Sequence, residues 1–127
     1  MTASILLVDD DAVQAGTRQE ILLRSGENVY LARNAREALD CLRKPEWFHS
    51  VGLVITDHLM PGMNGPEFVT ELRAILPDVP VLVLSGLLEA EALYNGLDVI
   101  FRVKPFAPDK LISLVRALVG HSQRRSA

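Results

Sequence analysis

One cysteine in 127 residues, Cys41, leaves no internal disulfide framework to read. It falls within a helical pattern and reads as a small core residue. No apolar run reaches membrane length, and the N-terminus lacks a signal-peptide pattern. A soluble, cytoplasmic protein with no membrane attachment is expected. Basic residues are not in excess either. Thirteen Lys and Arg against sixteen Asp and Glu leave a net charge of −3, with no basic stripe. Direct nucleic-acid binding is therefore not expected. The two arginines of the terminal Gln123-Arg124-Arg125-Ser126-Ala127 make a poor electrostatic footprint and read as a solvated end. His49, His58 and His121 form no metal spacing and take no role. Repeats, low-complexity stretches and an internal linker are all absent. One domain over residues 1–120 is expected, with a short polar tail at 121–127. Roughly eight residues follow the last expected helix, too few for a DNA-binding module.

What the chain does have is apolar runs, and 49% of it is hydrophobic. Four of these runs end in reactive polar groups. Ile5-Leu6-Leu7-Val8 runs into Asp9-Asp10-Asp11, and Val51 to Thr56 runs into Asp57. Val81-Leu82-Val83-Leu84 ends in Ser85, and Val99 to Val103 ends in Lys104-Pro105. Continuous apolar runs of this length fit strands buried on both faces, hence a parallel sheet. Strands are expected near 4–9, 28–32, 51–57, 80–84 and 98–103. Helices are expected near 12–25, 35–44, 65–76, 87–95 and 108–119, the helix over 87–95 being short. The alternation predicts an α/β domain with right-handed crossovers. Asn34–Glu37 and Asn64–Glu67 have the spacing of capping boxes. Gly26 and Gly96 sit where helices should stop, and Pro108 suits a first helical turn. Trp47 is expected beneath the second helix.

In parallel sheets the carboxyl ends of the strands form the ligand crevice. Carboxylates, a hydroxyl and an ammonium should converge there. Asp57 ends a strand that should be central, where a lone carboxylate is costly unless paired or metal-bound. Asp11 is best placed to cap the helix beginning at Ala12. Three successive aspartates exceed what a cap needs. Oxygen-only ligands favour a hard cation such as magnesium, and a hydroxyl and lysine beside it suit a phosphoryl group. The loop His58 to Gly65 is rich in Gly and Pro and shapes a pocket. The proline after Lys104 fixes a turn, with a cis bond as one form of it.

The set Val8-Asp9-Asp10, Asp57 with Met60-Pro61-Gly62-Met63-Asn64-Gly65, Ser85-Gly86 and Lys104-Pro105-Phe106 resembles the receiver domain of two-component response regulators. The resemblance spans Ser4 to Val119. Ile55 to Met63 looks similar to receivers attached to hybrid histidine kinases. The resemblance implies a (βα)5, doubly wound, flavodoxin-like parallel sheet of order 2-1-3-4-5. It implies that Asp57 accepts a phosphoryl group from the phosphohistidine of a histidine kinase or phosphotransfer protein, as in a phosphorelay. Asp10, Asp57 and the backbone carbonyl of Leu59 would ligate magnesium, with Asp9 acting through water. Ser85 and Lys104 would each meet a phosphoryl oxygen. Such a domain is not an enzyme on other substrates; it catalyses only its own phosphorylation and dephosphorylation. Its partner surface would be the helix near 87–95, the last strand and the last helix. Phe101 would be the moving part, the plain alternative being ordinary core. Arg102, Tyr94 and Lys110 would form an exposed rim toward a downstream protein target or a phosphorylation-dependent homodimer.

Some residues depart from the common pattern. Ser85 stands where threonine is frequent, and Phe101 lacks a phenolic oxygen. The stretch Gly96 to Lys104 is one residue longer than usual. The rival reading is a phosphatase of the haloacid dehalogenase class, with Asp9 and Asp11 at the spacing of its Asp-x-Asp nucleophile motif. It leaves Asp57 unexplained.

Overall fold

A computed structural model describes residues 4–126, with side chains as far as Gly120. Five strands form one parallel sheet: β1 Ser4–Val8, β2 Asn28–Ala32, β3 Val51–Asp57, β4 Val81–Ser85 and β5 Ile100–Val103. Their spatial order is β2-β1-β3-β4-β5, the doubly wound order the resemblance implied. The helices are α1 Ala12–Arg24, α2 Ala35–Leu42, α3 Pro45–Ser50, α4 Gly65–Ile75 and α5 Pro108–Ser126. The polar tail expected over 121–127 lies outside the residues whose side chains are described.

Strand alternation divides the core in two. Ile5, Leu7, Leu53, Ile55, Leu82 and Leu84 face Leu22 of α1 and Leu111, Val115 and Val119 of α5. Leu6, Val8, Val54, Val81, Val83 and Phe101 face Leu39 and Leu42 of α2 and Phe68, Val69 and Leu72 of α4. Both faces are covered, which is why the strands read as unbroken apolar runs.

The helix ends follow their local chemistry. Asp11 caps α1, accepting from the N–H groups of Val13 and Gln14. At α4 the box closes both ways, Asn64 accepting from Glu67 N and Glu67 accepting from Asn64 N. At α2 only half of it forms. Asn34 accepts from Glu37 N at 2.8 Å, while the Glu37 carboxylate turns toward Arg33. Gly26 and Gly96 both adopt positive φ at the expected stops.

Two segments differ from expectation. Residues 45–50 form a short helix, α3, with Pro45 at its first position. It presents Trp47 edge-on to Tyr30, with ring centroids 4.8 Å apart, so Trp47 packs beside β2 from a helix of its own. The helix expected over 87–95 is a 3-10 segment, Leu88–Tyr94, with no side-chain cap. A stretch this short and uncapped gains little from α winding. Cys41 is half-buried at the rim rather than in the core, and burial raises its thiol pKa.

In the turn before β5, Asp98 adopts a positive φ of 55°. Arg73 of α4 holds it. Its guanidinium donates to the carbonyls of Leu97 (2.9 Å) and Asp98 (2.7 Å) ahead of β5. It also donates to Val79 (2.6 Å) ahead of β4.

Candidate functional site

The register of the sheet builds the site. Val8 lies beside Thr56, so the next residues, Asp9 and Asp57, emerge together. Asp57 lies beside Leu84, and Ser85 beside Val103. The row of strand ends therefore steps from Asp9 and Asp57 to Ser85 and then to Lys104. Asp9 continues the Ile5–Leu7 side and Asp57 the Leu53–Ile55 side, so both carboxylates tip toward α1.

Asp9, Asp10 and Asp57 offer carboxylate oxygens within 4.8 Å of one another. Asp9 and Asp57 are buried and Asp10 is exposed. An all-oxygen donor set of this kind fits a hard divalent cation. Asp9 Oδ1 accepts from Asp11 N at 2.9 Å. Burial, and then hydrogen bonding with the neighbouring Asp57 carboxyl, push the Asp9 carboxyl up to about 7. Lys104 Nζ lies 2.9 Å from Asp57 Oδ1, and its peptide bond to Pro105 is cis. Asp11 does not join the trio. Its Oδ1 caps α1 instead, accepting from Val13 N and Gln14 N.

Ser85 is buried at the end of β4, and its hydroxyl binds locally. It accepts from Leu87 N at 2.9 Å and donates to Leu87 O. Leu59 sits in the loop after Asp57 with its side chain exposed. That loop is tied down by Thr56 Oγ1, which donates to Asp57 O and contacts Met60 Sδ, and by the bond from Gly65 N to His58 O. Phe101 is buried and packs against Tyr94, with ring centroids 5.9 Å apart. Tyr94 was expected on an exposed rim, but it is buried, while Arg102 and Lys110 are exposed. Its hydroxyl explains the inversion: it bonds His58 Nδ1 at 2.7 Å. Burial lowers the His58 pKa and pushes the Tyr94 phenol above its usual range. At Gly65 a Cβ would run into the Tyr94 hydroxyl, so glycine there keeps the space open.

Three residues of this neighbourhood were not picked out in the sequence as site residues. His58 and Tyr94 are 36 positions apart, and no local pattern joins them. Arg18 is different. Its Nη1 lies 2.9 Å from Asp9 Oδ2 and 3.4 Å from Asp57 Oδ1. Ala15, Arg18 and Leu22 share one stripe of α1, and the flanking two are fully buried. An arginine on the apolar stripe of a helix requires a buried partner, and that was the available signal.

A family model described as the response regulator receiver domain matches residues 5–116. Response regulator Rre1 of Synechocystis is 38% identical over 130 residues, covering 97% of this chain and 54% of that protein. Response regulator MprA of Mycolicibacterium vanbaalenii is 34% identical, covering 94% of this chain and 51% of that protein. The chain spans about half the length of these curated relatives. Among solved structures, chemotaxis response regulator CheY4 of Vibrio cholerae is 28% identical with a TM-score of 0.82, covering 93% of this chain and 99% of that one. The receiver domain of an HD domain-containing protein from Pseudomonas fluorescens is 26% identical with a TM-score of 0.86, covering 98% and 99%. Among the described residues no helix is long and apolar enough to cross a membrane.

Proposed function

This chain belongs to the response regulator receiver domain family of two-component systems, and from that premise we propose that it is switched by phosphoryl transfer to Asp57. The observation that carries the reading is Asp57 itself: buried at a strand end, beside Asp9 and Asp10, with Lys104 Nζ at 2.9 Å. A buried carboxylate among others is poised to react rather than to stabilise the fold.

The donor is the phosphohistidine of a histidine kinase or phosphotransfer protein. An Asp57 oxygen attacks the phosphorus, the N–P bond breaks with its electron pair returning to the ring nitrogen, and neutral imidazole leaves, keeping the proton already on its other nitrogen. Lys104 neutralises an oxygen of the transferred group, and Ser85 donates to another once its hydroxyl leaves Leu87. Asp10, Asp57 and the Leu59 carbonyl, with Asp9 through water, would hold a magnesium ion, whose chemistry is to neutralise phosphoryl charge. The rest is positioning by a rigid row of strand ends.

Phosphorylation then shifts the surface formed by the 3-10 segment, β5 and α5. Lys104 and Ser85 adjoin that surface, and Phe101 lies beneath it. The target is a protein or a second copy of this chain. Incubation with acetyl phosphate and magnesium should add one phosphoryl group, read by intact mass. An Asp57→Asn variant that still gains that mass would defeat the assignment.

A further inference from the structure

Two cations already answer the three carboxylates. Lys104 is the one the receiver pattern accounts for. Arg18 is the other, and it sits between Asp9 and Asp57 with its side chain 16% exposed. Gln14, one turn earlier on α1, fixes the arrangement. Its Oε1 accepts from Arg18 Nη2 and from Lys104 Nζ, both at 3.3 Å, and its Nε2 donates to Asp11 Oδ2 at 3.2 Å. The guanidinium is thus oriented as well as charged.

We propose that Arg18 is a built-in counter-ion of the acid pocket, which a divalent cation must displace before the domain can be phosphorylated. The inference rests on the reading of Asp9, Asp10 and Asp57 as the metal site. Asp9 Oδ2 and Asp57 Oδ1 each already accept from Arg18. A divalent cation drawing on the same two carboxylates meets a like charge at close range. Arg18 has somewhere to go. Its stem emerges from α1, its head is partly exposed, and Gln14 offers a hydrogen bond outside the carboxylate pair. In the resting state the protein's own cations face the carboxylates where an ion would sit. The consequence is a raised threshold: magnesium affinity, and the phosphorylation that depends on it, are set by how readily Arg18 yields.

Calorimetric titration of the whole chain with magnesium chloride tests this without any phosphoryl donor. Arg18→Met keeps the length of the stem, and Arg18→Gln keeps a polar head. Each should bind magnesium about tenfold more tightly than the parent, the effect of removing one like charge behind partial solvent screening. Asp10→Ala in the same buffer should bind far more weakly. Unchanged or weaker binding in both Arg18 variants, with Asp10→Ala still impaired, overturns the role of Arg18 and leaves the metal site standing. Asp10→Ala binding as well as the parent overturns the metal site, and the inference with it.

Discussion

The two faces of the sheet are closed by different means. On one, α1 and α5 lie across the strands and bury Leu22, Leu111 and Val115. On the other, α2 and α4 cover only part of the sheet. The remainder falls to a seven-residue 3-10 segment that anchors through Ala90 and Tyr94 and leaves Leu88 and Leu93 about 60% exposed. The first face meets the acid pocket with a charge, Arg18. The second meets the loop after Asp57 with a neutral hydrogen bond, Tyr94 to His58. Regions with few buried contacts open first. The α1–α5 face is therefore the platform, and on the proposed reading the 3-10 face is the side that would report a change at Asp57.

The hardest blow to the platform should be Leu22→Ala. Leu22 is fully buried, and its truncation should cost about 2–5 kcal/mol. Urea unfolding should lose that amount, with protection from hydrogen exchange reduced uniformly along the chain. A loss confined to α1 would mean that the platform is not the cooperative core.

A smaller, local effect is expected from Tyr94→Phe, which removes one hydroxyl and leaves buried His58 Nδ1 without its partner. The cost should be about 1–3 kcal/mol. Amides of residues 88–94 should lose more protection than those of α1. Equal loss in both would break the distinction between the two faces.

A third effect is a pH dependence confined to the pocket. The Asp9 carboxyl, near 3.8 in the unfolded chain and raised to about 7 in the folded one, takes up a proton on folding between those values. The stability linked to Asp9 is then complete below about pH 4 and is lost as pH rises through 7. In metal-free buffer Asp9→Asn should be more stable than the parent at pH 8, and the gap should close toward pH 5. A gap constant across that range would place the cause elsewhere.

Much of this was legible in the chain because it rests on short-range rules. Buried parallel strands announce themselves as apolar runs, and their last residues then have to share one crevice. Asp9, Asp10, Asp57 and Lys104 were found that way, and the structure brings them together. Asp11 was assigned to the cap because its spacing to the helix start is local. The 3-10 winding of Leu88–Tyr94 was not legible, since its residues are ordinary helix formers and its brevity decides. Tyr94 was misplaced because its burial depends on a partner 36 residues away. Arg18 was readable in principle from the stripe Ala15, Arg18, Leu22, but the partners it implies come from two different strands.

Arg73 adds a mechanical consequence. Its guanidinium grips the carbonyls of Leu97 and Asp98 immediately ahead of β5. At the other end of that strand Lys104 reaches Asp57. β5, about 13 Å long, is therefore held at both ends, by Arg73 at its root and, at its tip, by the bond from Lys104 N to Ser85 O (2.7 Å) and the ion pair with Asp57. On the proposed reading of Asp57 as the phosphoryl acceptor, a change of charge at the tip would load a strand clamped at both ends, with Phe101 between the clamps.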